Sequence, residues 1–145
     1  MIMKKLQVFF LLAVAISFGA QAQSIARKWK TIDDTSGKPR SIVEIYEEDG
    51  KYFGKILQVI AEPGEDPDPR CTECSGTKKD KKVNGMVIIE ELEKRNTEYK
   101  NGTILDPENG KVYDCKLWIG EDGNLKVRGY VLFLYRTQTW LPYEG

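Results

Sequence analysis

Three cysteines are the residues of this chain whose type and spacing most directly indicate chemistry. Cys71 and Cys74 form a CxxC pair, and Cys115 lies far from them in the sequence. Such a pair can close a disulfide, act as a thiol redox centre or contribute ligands to a metal site. The type of segment that carries the pair decides between these uses.

The segment around the CxxC pair is rich in proline and glycine, which predicts a loop. A redox centre requires a helix N-terminus to lower the pKa of its first thiol, and this loop does not predict one. A zinc site requires four ligands, and the chain has no His and only one further Cys. We therefore expect a Cys71–Cys74 disulfide. The first alternative is a reduced or metal-bound pair, and a catalytic redox pair comes after it.

Other catalytic signatures are missing from the sequence. The chain contains no His, which is the commonest general base. It has no nucleophile elbow, no phosphate-binding loop and no pair of acids placed by a motif. Asp106 precedes Pro107 in a segment typical of a turn. We therefore expect no catalytic residue, no cofactor and no enzymatic activity.

The first 22 residues have the three parts of a secretory signal peptide. Lys4 and Lys5 precede a nearly unbroken apolar run over residues 6–18, and a small-x-small motif ends at Ala22. We expect cleavage after Ala22, leaving a single domain over residues 23–145 in the periplasm or outside the cell. No Cys follows the apolar run closely enough for a lipid anchor, so we expect no membrane anchor.

The charge balance argues against one class of partner. The chain has 22 basic and 22 acidic residues, so its net charge is close to zero. Nucleic acids and anionic membranes attract strongly basic surfaces, and this composition indicates none. We expect no nucleic-acid partner, and the sequence does not identify a protein partner.

Hydrophobic alternation predicts an all-β domain. Short runs in which apolar and polar residues alternate are separated by turn residues, which is typical of half-buried strands. About eight such strands joined by tight turns predict an antiparallel up-and-down β-barrel, because closure removes exposed strand edges. The predicted strands cover residues 27–32, 41–47, 52–60, 86–89, 98–105, 111–119, 125–133 and 138–141. The long segment 61–82 is predicted to cover one mouth of the barrel.

The alternation also predicts which side chains face the barrel interior. One face of the sixth strand carries Cys115 among aromatic and aliphatic residues, and the seventh strand has an equivalent face around Gly129. The barrel interior is either filled by these side chains or leaves room for one small apolar ligand. The candidate ligand-binding residues are Trp29, Tyr113, Leu117, Val127, Val131, Phe133 and Trp140.

Several motifs resemble those of one bacterial protein family, DUF2147. The segment 102–113 is similar to its G-x-I-x-D-P-x-x-G-x-x-Y core, segment 122–130 to its D-G-x-L-x-V-R-G stretch, and segment 136–140 to its closing R-T-Q-x-W. Trp29 and segment 52–56 also fit, so the resemblance spans nearly all of residues 23–145.

The resemblance implies an exported bacterial protein of unknown function with a lipocalin-like barrel. In the lipocalin fold, a tryptophan of the first strand packs under an arginine from a late strand. The resemblance implies Arg128 or Arg136 as the candidate cover of Trp29. The favoured alternative is that Trp29 and Trp140 are core residues that seal one end of the barrel. The predicted function is binding of a small hydrophobic ligand in the cell envelope. The alternative is a fully packed barrel that serves as a scaffold or protein-interaction module.

Overall fold

The structure is a computed structural model that describes residues 23–145. Within these residues, eight antiparallel strands form one closed barrel in which each strand pairs with the next and the last pairs with the first. The predicted signal peptide lies outside the described residues. The strands are β1 (Lys28–Ile32), β2 (Pro39–Glu48), β3 (Lys51–Val59), β4 (Val87–Arg95), β5 (Glu98–Leu105), β6 (Val112–Ile119), β7 (Leu125–Val131) and β8 (Leu134–Pro142).

The predicted all-β barrel is confirmed, but β2, β4 and β8 are longer than predicted, and the difference is largest in β4 and β8. Strand β4 continues to Arg95, where the sequence predicted no strand after Ile89. A bulge at Glu91, with φ 62°, places Ile89 and Leu92 on the same buried face although they are three residues apart. This bulge breaks the two-residue alternation on which the prediction depended. Strand β8 begins at Leu134 instead of residue 138.

The strand connections separate into two ends, because consecutive antiparallel strands run in opposite directions. We call the end that carries the β1–β2, β3–β4, β5–β6 and β7–β8 connections the mouth, and the opposite end the floor. At the floor, Ile25 and Trp29 are completely buried. The indole Nε1 of Trp29 donates a hydrogen bond to the carbonyl of Ile25 at 2.9 Å, so the segment before β1 closes this end.

The lower half of the barrel is a packed apolar core. Side chains from all eight strands meet there, each no more than 8% exposed. An aliphatic side chain that is buried to this extent stabilises the folded state by about 1.5–3 kcal/mol. The inward residues of this layer are Trp29, Val43, Ile45, Tyr52, Ile56, Ile89, Leu92, Tyr99, Cys115, Leu117, Leu125, Val127 and Trp140.

The long β3–β4 connection is held by a disulfide and by polar contacts to the rim and outside of the barrel. The predicted Cys71–Cys74 disulfide is present, and both cysteines are buried. Nζ of Lys78 lies 3.0 Å from the carboxylate of Glu90, which faces outward on β4. The backbone of Glu73 lies directly against Gly110 in the β5–β6 turn. These contacts attach the loop to the outer wall of β4 and to the rim of the mouth, and Arg40 of β2 binds both Glu65 of the loop and Glu108 of the β5–β6 turn. The predicted cover of the mouth by this loop stays a prediction.

No helix among the described residues is both long enough and apolar enough to cross a membrane. The helical structure in residues 23–145 is a single 3-10 turn over Gly76–Lys78.

Candidate functional site

Three glycines face the barrel interior, and they show where the interior is filled. A Cβ atom added at Gly102 would lie 2.4 Å from the carbonyl oxygen of Glu90, and one added at Gly54 would lie 3.0 Å from the side chain of Ile89. Neither position has room for a methyl group. A Cβ added at Gly129 would meet only Tyr113, at 3.7 Å, which is an ordinary van der Waals contact. Gly54 and Gly102 are therefore closed by neighbouring atoms, whereas Gly129 has room for a side chain beside it.

Gly129 lies in the upper half of the barrel, towards the mouth. The strand register places the side chains around it on inward positions, and several of them are polar. We call this group the mouth site; it consists of Thr31, Ser41, Ile104, Tyr113, Gly129, Arg136 and Gln138.

Most polar groups of the mouth site already have one hydrogen-bond partner. The hydroxyls of Thr31 and Ser41 are 2.8 Å apart and both residues are buried. The hydroxyl of Tyr113 accepts a hydrogen bond from the amide of Asn109 at 3.2 Å. A hydroxyl has both a donor and acceptor capacity, so each of these groups retains the ability to bind a further polar atom.

Arg136 extends from the inner side of β8 to the rim of the mouth. Its guanidinium forms a two-pronged ion pair with Asp34 and a hydrogen bond to the hydroxyl of Thr35 at 3.1 Å. The hydrogen bonds to Asp34 raise the pKa of Arg136 above its ordinary value, so its charge is permanent. The pair joins the β1–β2 connection to β8 across the barrel seam.

The seven predicted ligand-binding residues divide into three groups. Trp29, Leu117, Val127 and Trp140 are buried in the lower core, and Tyr113 is half-buried at the mouth site. Val131 shares the face of Gly129 at the mouth end of β7, where it is 52% exposed. The inward placement of Phe133 is wrong, because this residue lies in the turn after β7 and is 88% exposed. Strand β7 ends at Val131, and the turn to β8 follows immediately, so Phe133 never enters the barrel wall.

The expected arginine cover of Trp29 is also wrong in its choice of residue. The guanidinium carbon of Arg27 lies 5.2 Å from the Trp29 ring centre, whereas Arg128 lies over Trp118 at 4.9 Å and over Tyr135 at 4.1 Å. Arg136 binds Asp34 instead. Arg128 lies on the outer face of β7, since it directly precedes the inward-facing Gly129 and pairs with Thr137.

Cys115 is the remaining cysteine, and it is free and buried in the core. Burial, with a smaller contribution from the negative charge of Asp114, raises the pKa of its thiol to about 12. A thiol with this pKa is protonated at neutral pH and is a poor nucleophile. Cys115 therefore contributes to the packing of the core and is not placed for thiol chemistry.

The sequence analysis missed the polar half of the mouth site. Arg136 and Gln138 share their face with the buried Trp140, and this relation was readable from the two-residue spacing of the closing motif. The prediction started β8 only at residue 138, so Arg136 was outside the strand. Thr31 and Ser41 offered no comparable signal, because Thr and Ser are also common on exposed strand faces.

Two surface concavities lie outside the mouth site. One, of about 300 Å³, lies at the floor between Tyr99, Ile119 and Glu121. The other, of about 400 Å³, is on the outer wall between Lys100, Asp114 and Tyr130. Both are open to solvent at polar rims, and neither includes a residue of the upper interior such as Gly129.

Comparison with known proteins identifies the family. The sequence model of the family described as uncharacterized proteins conserved in bacteria, DUF2147, matches residues 28–141. The chain belongs to the DUF2147 family. No curated protein is significantly similar to the chain. The match begins at the start of β1 and ends in β8, so the DUF2147 family unit is the barrel itself.

A solved structure shows the fold independently. The chain is similar to the structure titled "Protein HP1028 from the human pathogen Helicobacter pylori belongs to the lipocalin family", with a TM-score of 0.71. The sequences are 19% identical, and the alignment covers 83% of this chain and 84% of the other. At this identity the likeness establishes a shared lipocalin-like barrel.

Proposed function

We propose that this DUF2147 protein binds a small hydrophobic ligand at the mouth site and has no catalytic role. The observation that carries the proposal is the open space beside Gly129. The other two inward glycines are closed by neighbouring atoms at 3.0 Å or less, whereas Gly129 is not. A barrel of eight strands has an interior just wide enough for side chains or one small ligand. Because the lower core is filled and the space lies beside Gly129, a ligand that enters through the mouth is favoured.

The chemistry of the mouth site indicates an amphiphilic ligand. Ile104, the Tyr113 ring and the Gly129 backbone offer apolar contact to the body of a ligand. The Thr31 and Ser41 hydroxyls on β1 and β2 and the Gln138 amide on β8 offer polar contacts. Pockets of this kind bind mainly through apolar contacts and orient the ligand with a few polar groups. We infer a ligand with an apolar body and one polar end.

The experiment is a titration of a fluorescent fatty-acid analogue into the protein that starts at Gln23, since residues 23–145 form the closed barrel. Gly129→Leu places four additional carbon atoms in the proposed space and should weaken binding at least tenfold. Thr103→Leu is the matched control, because Thr103 faces outward on β5 and its added bulk stays outside the barrel. The control should bind like wild type.

The alternative function is a scaffold or protein-interaction module without a small ligand. The completely buried lower core supports it, because no inward position there is open. The same titration separates the two functions. Absence of binding by wild type, or equal binding by wild type and Gly129→Leu, would reject the ligand site and favour the scaffold.

We also propose that residues 1–22 are removed on export and that the barrel resides in the periplasm or outside the cell. The disulfide supports this proposal, since such bonds persist in oxidising compartments. N-terminal sequencing of the protein from its bacterial host should start at Gln23. A sequence that starts at Met1 would reject the proposal.

A further inference from the structure

The turn between β7 and β8 exposes an uninterrupted apolar run at the mouth. Leu132 is 90% exposed and Phe133 is 88% exposed, and the three flanking apolar residues are each more than half exposed. We call residues 131–135 the apolar hairpin tip; they are Val131, Leu132, Phe133, Leu134 and Tyr135. Contiguous exposed apolar surface of this kind marks an interaction site.

Folding does not require these residue types in the turn. Tight hairpin turns favour Gly, Asn or Asp where φ is positive, because other side chains are strained there. Leu132 nevertheless has φ 55°, and its side chain has almost no contact with the rest of the barrel. Strain of this kind at an exposed position indicates a function that lies outside folding.

The shape of the tip favours one kind of partner. It is a narrow projection formed by a turn, and the exposed Val112, at 61%, lies at the mouth end of the neighbouring strand β6. A convex apolar projection buries itself most completely in a deformable medium. We propose that the apolar hairpin tip inserts into the surface of a lipid bilayer and thereby holds the mouth of the barrel against the membrane.

The residues behind the tip match the headgroup layer of a bilayer. Arg128 is four residues from Leu132 along β7, which corresponds to about 13 Å at 3.3 Å per residue. Its guanidinium carbon lies 4.1 Å from the Tyr135 ring centre and 4.9 Å from that of Trp118, and its Nε donates a hydrogen bond to the Thr137 hydroxyl. Its two terminal nitrogens have no carboxylate partner among the described residues and can bind headgroup phosphates. Tyr130 and Tyr135, with ring centres 6.2 Å apart, lie between Arg128 and the turn. Tyrosines favour this interfacial depth because their rings are apolar and their hydroxyls are polar.

The near-zero net charge determines which force drives this membrane contact. Electrostatic attraction to anionic lipid contributes little, so burial of the Leu132 and Phe133 side chains must supply most of the affinity. Insertion should therefore occur on neutral phosphatidylcholine vesicles and should change little with salt. This membrane contact does not require the ligand site, although it would place the mouth where a hydrophobic ligand could enter from the bilayer.

The test is sedimentation of the protein starting at Gln23 with phosphatidylcholine vesicles, at low and high salt. Wild type should partition to the vesicles at both salt concentrations. The double substitution Leu132→Ser and Phe133→Ser should lower the partition coefficient at least tenfold without changing the melting temperature. Leu141→Ser removes an apolar side chain that is 36% exposed near the floor, and this control should partition like wild type.

A second measurement reads insertion directly. Phe133→Trp adds a fluorophore at the turn, and its emission should shift to shorter wavelength and be quenched by brominated phosphatidylcholine. Failure of wild type to bind vesicles, or equal binding by wild type and the double variant, would overturn the proposal. A double variant that converts an oligomer to a monomer would assign the tip to a second copy of the chain and would also overturn it. Gly129→Leu should still bind vesicles, which separates this proposal from the ligand site.

Discussion

The indole N–H of Trp29 donates a 2.9 Å hydrogen bond to the carbonyl oxygen of Ile25, and neither residue has any exposed surface. The bond joins the first strand to the segment that precedes it. Since β1 also pairs with both β2 and β8, Trp29 lies at the point where the barrel closes. Trp29 therefore connects the segment before β1 with the seam between β1 and β8.

The first prediction concerns this closure. Trp29→Ala should lower the free energy of unfolding by about 3–5 kcal/mol, because it leaves a large cavity and removes one of the two hydrogen bonds that the Ile25 carbonyl accepts. Trp118→Ala is the matched control, since Trp118 is only half-buried on the outer face of β6 and should cost about 1 kcal/mol. Urea unfolding followed by circular dichroism gives both values. A loss below about 1 kcal/mol for Trp29→Ala would contradict the sealed floor.

The second prediction compares the three inward glycines. Gly102→Ala should destabilise the barrel most, because the new methyl group meets the backbone of β4 at 2.4 Å. Gly54→Ala should cost less, about 1–3 kcal/mol, because the Ile89 side chain can shift. Gly129→Ala should be neutral or stabilise by about 0.5–1 kcal/mol, since alanine loses less backbone entropy than glycine and has room here. Thermal melting ranks the three variants, and a strongly destabilised Gly129→Ala would show that the mouth site is filled.

Much of the fold could be predicted from the sequence because the two-residue alternation is a local signal. The buried faces of β6 and β7, with Leu117 and Val127, follow directly from it. The prediction was wrong where a local backbone feature changed the alternation. The bulge at Glu91 concealed the second half of β4, and the turn at Leu132 and Phe133 has none of the residues that usually indicate a turn.

The candidate site was less predictable because it depends on contacts between distant segments. The pairing of Arg136 with Asp34 joins residues 102 positions apart, and no motif indicates it. The space beside Gly129 depends on the side chains of neighbouring strands, so the glycine alone could not distinguish it from Gly54. Only the three-dimensional register shows which of the two is open.

The third prediction concerns the cysteines. In denaturant without a reductant, a thiol reagent should label one cysteine, and after reduction it should label three. In the folded protein near pH 8 the label should be almost absent, because Cys115 is buried and its pKa is raised to about 12. Mass spectrometry of the labelled protein gives the counts. Rapid labelling of the folded protein would indicate that Cys115 is accessible from the barrel interior.

The fourth prediction is a loss of stability at alkaline pH. Burial raises the pKa of Cys115 to about 12, and burial together with a hydrogen bond to Glu47 raises that of Tyr52 to about 12. In the unfolded chain these groups ionise near their ordinary values of about 8.5 and 10. The unfolded chain therefore releases protons that the folded barrel retains, and the free energy of unfolding should fall from about pH 9 towards pH 12.

Variants that lack the ionisable groups test the origin of this fall. In Cys115→Ala the free energy of unfolding should decrease less steeply between about pH 9 and pH 11, and in Tyr52→Phe the same should hold above about pH 10. Each substitution also lowers stability at neutral pH. The comparison therefore uses the slope of the free energy of unfolding against pH, and its absolute value is not compared. Lysines paired with acids, such as Lys51 with Glu91, also lose charge in this range and contribute an equal background in all three proteins. Urea unfolding at half-unit steps of pH measures the slopes, and identical slopes in wild type and both variants would show that neither buried group is responsible.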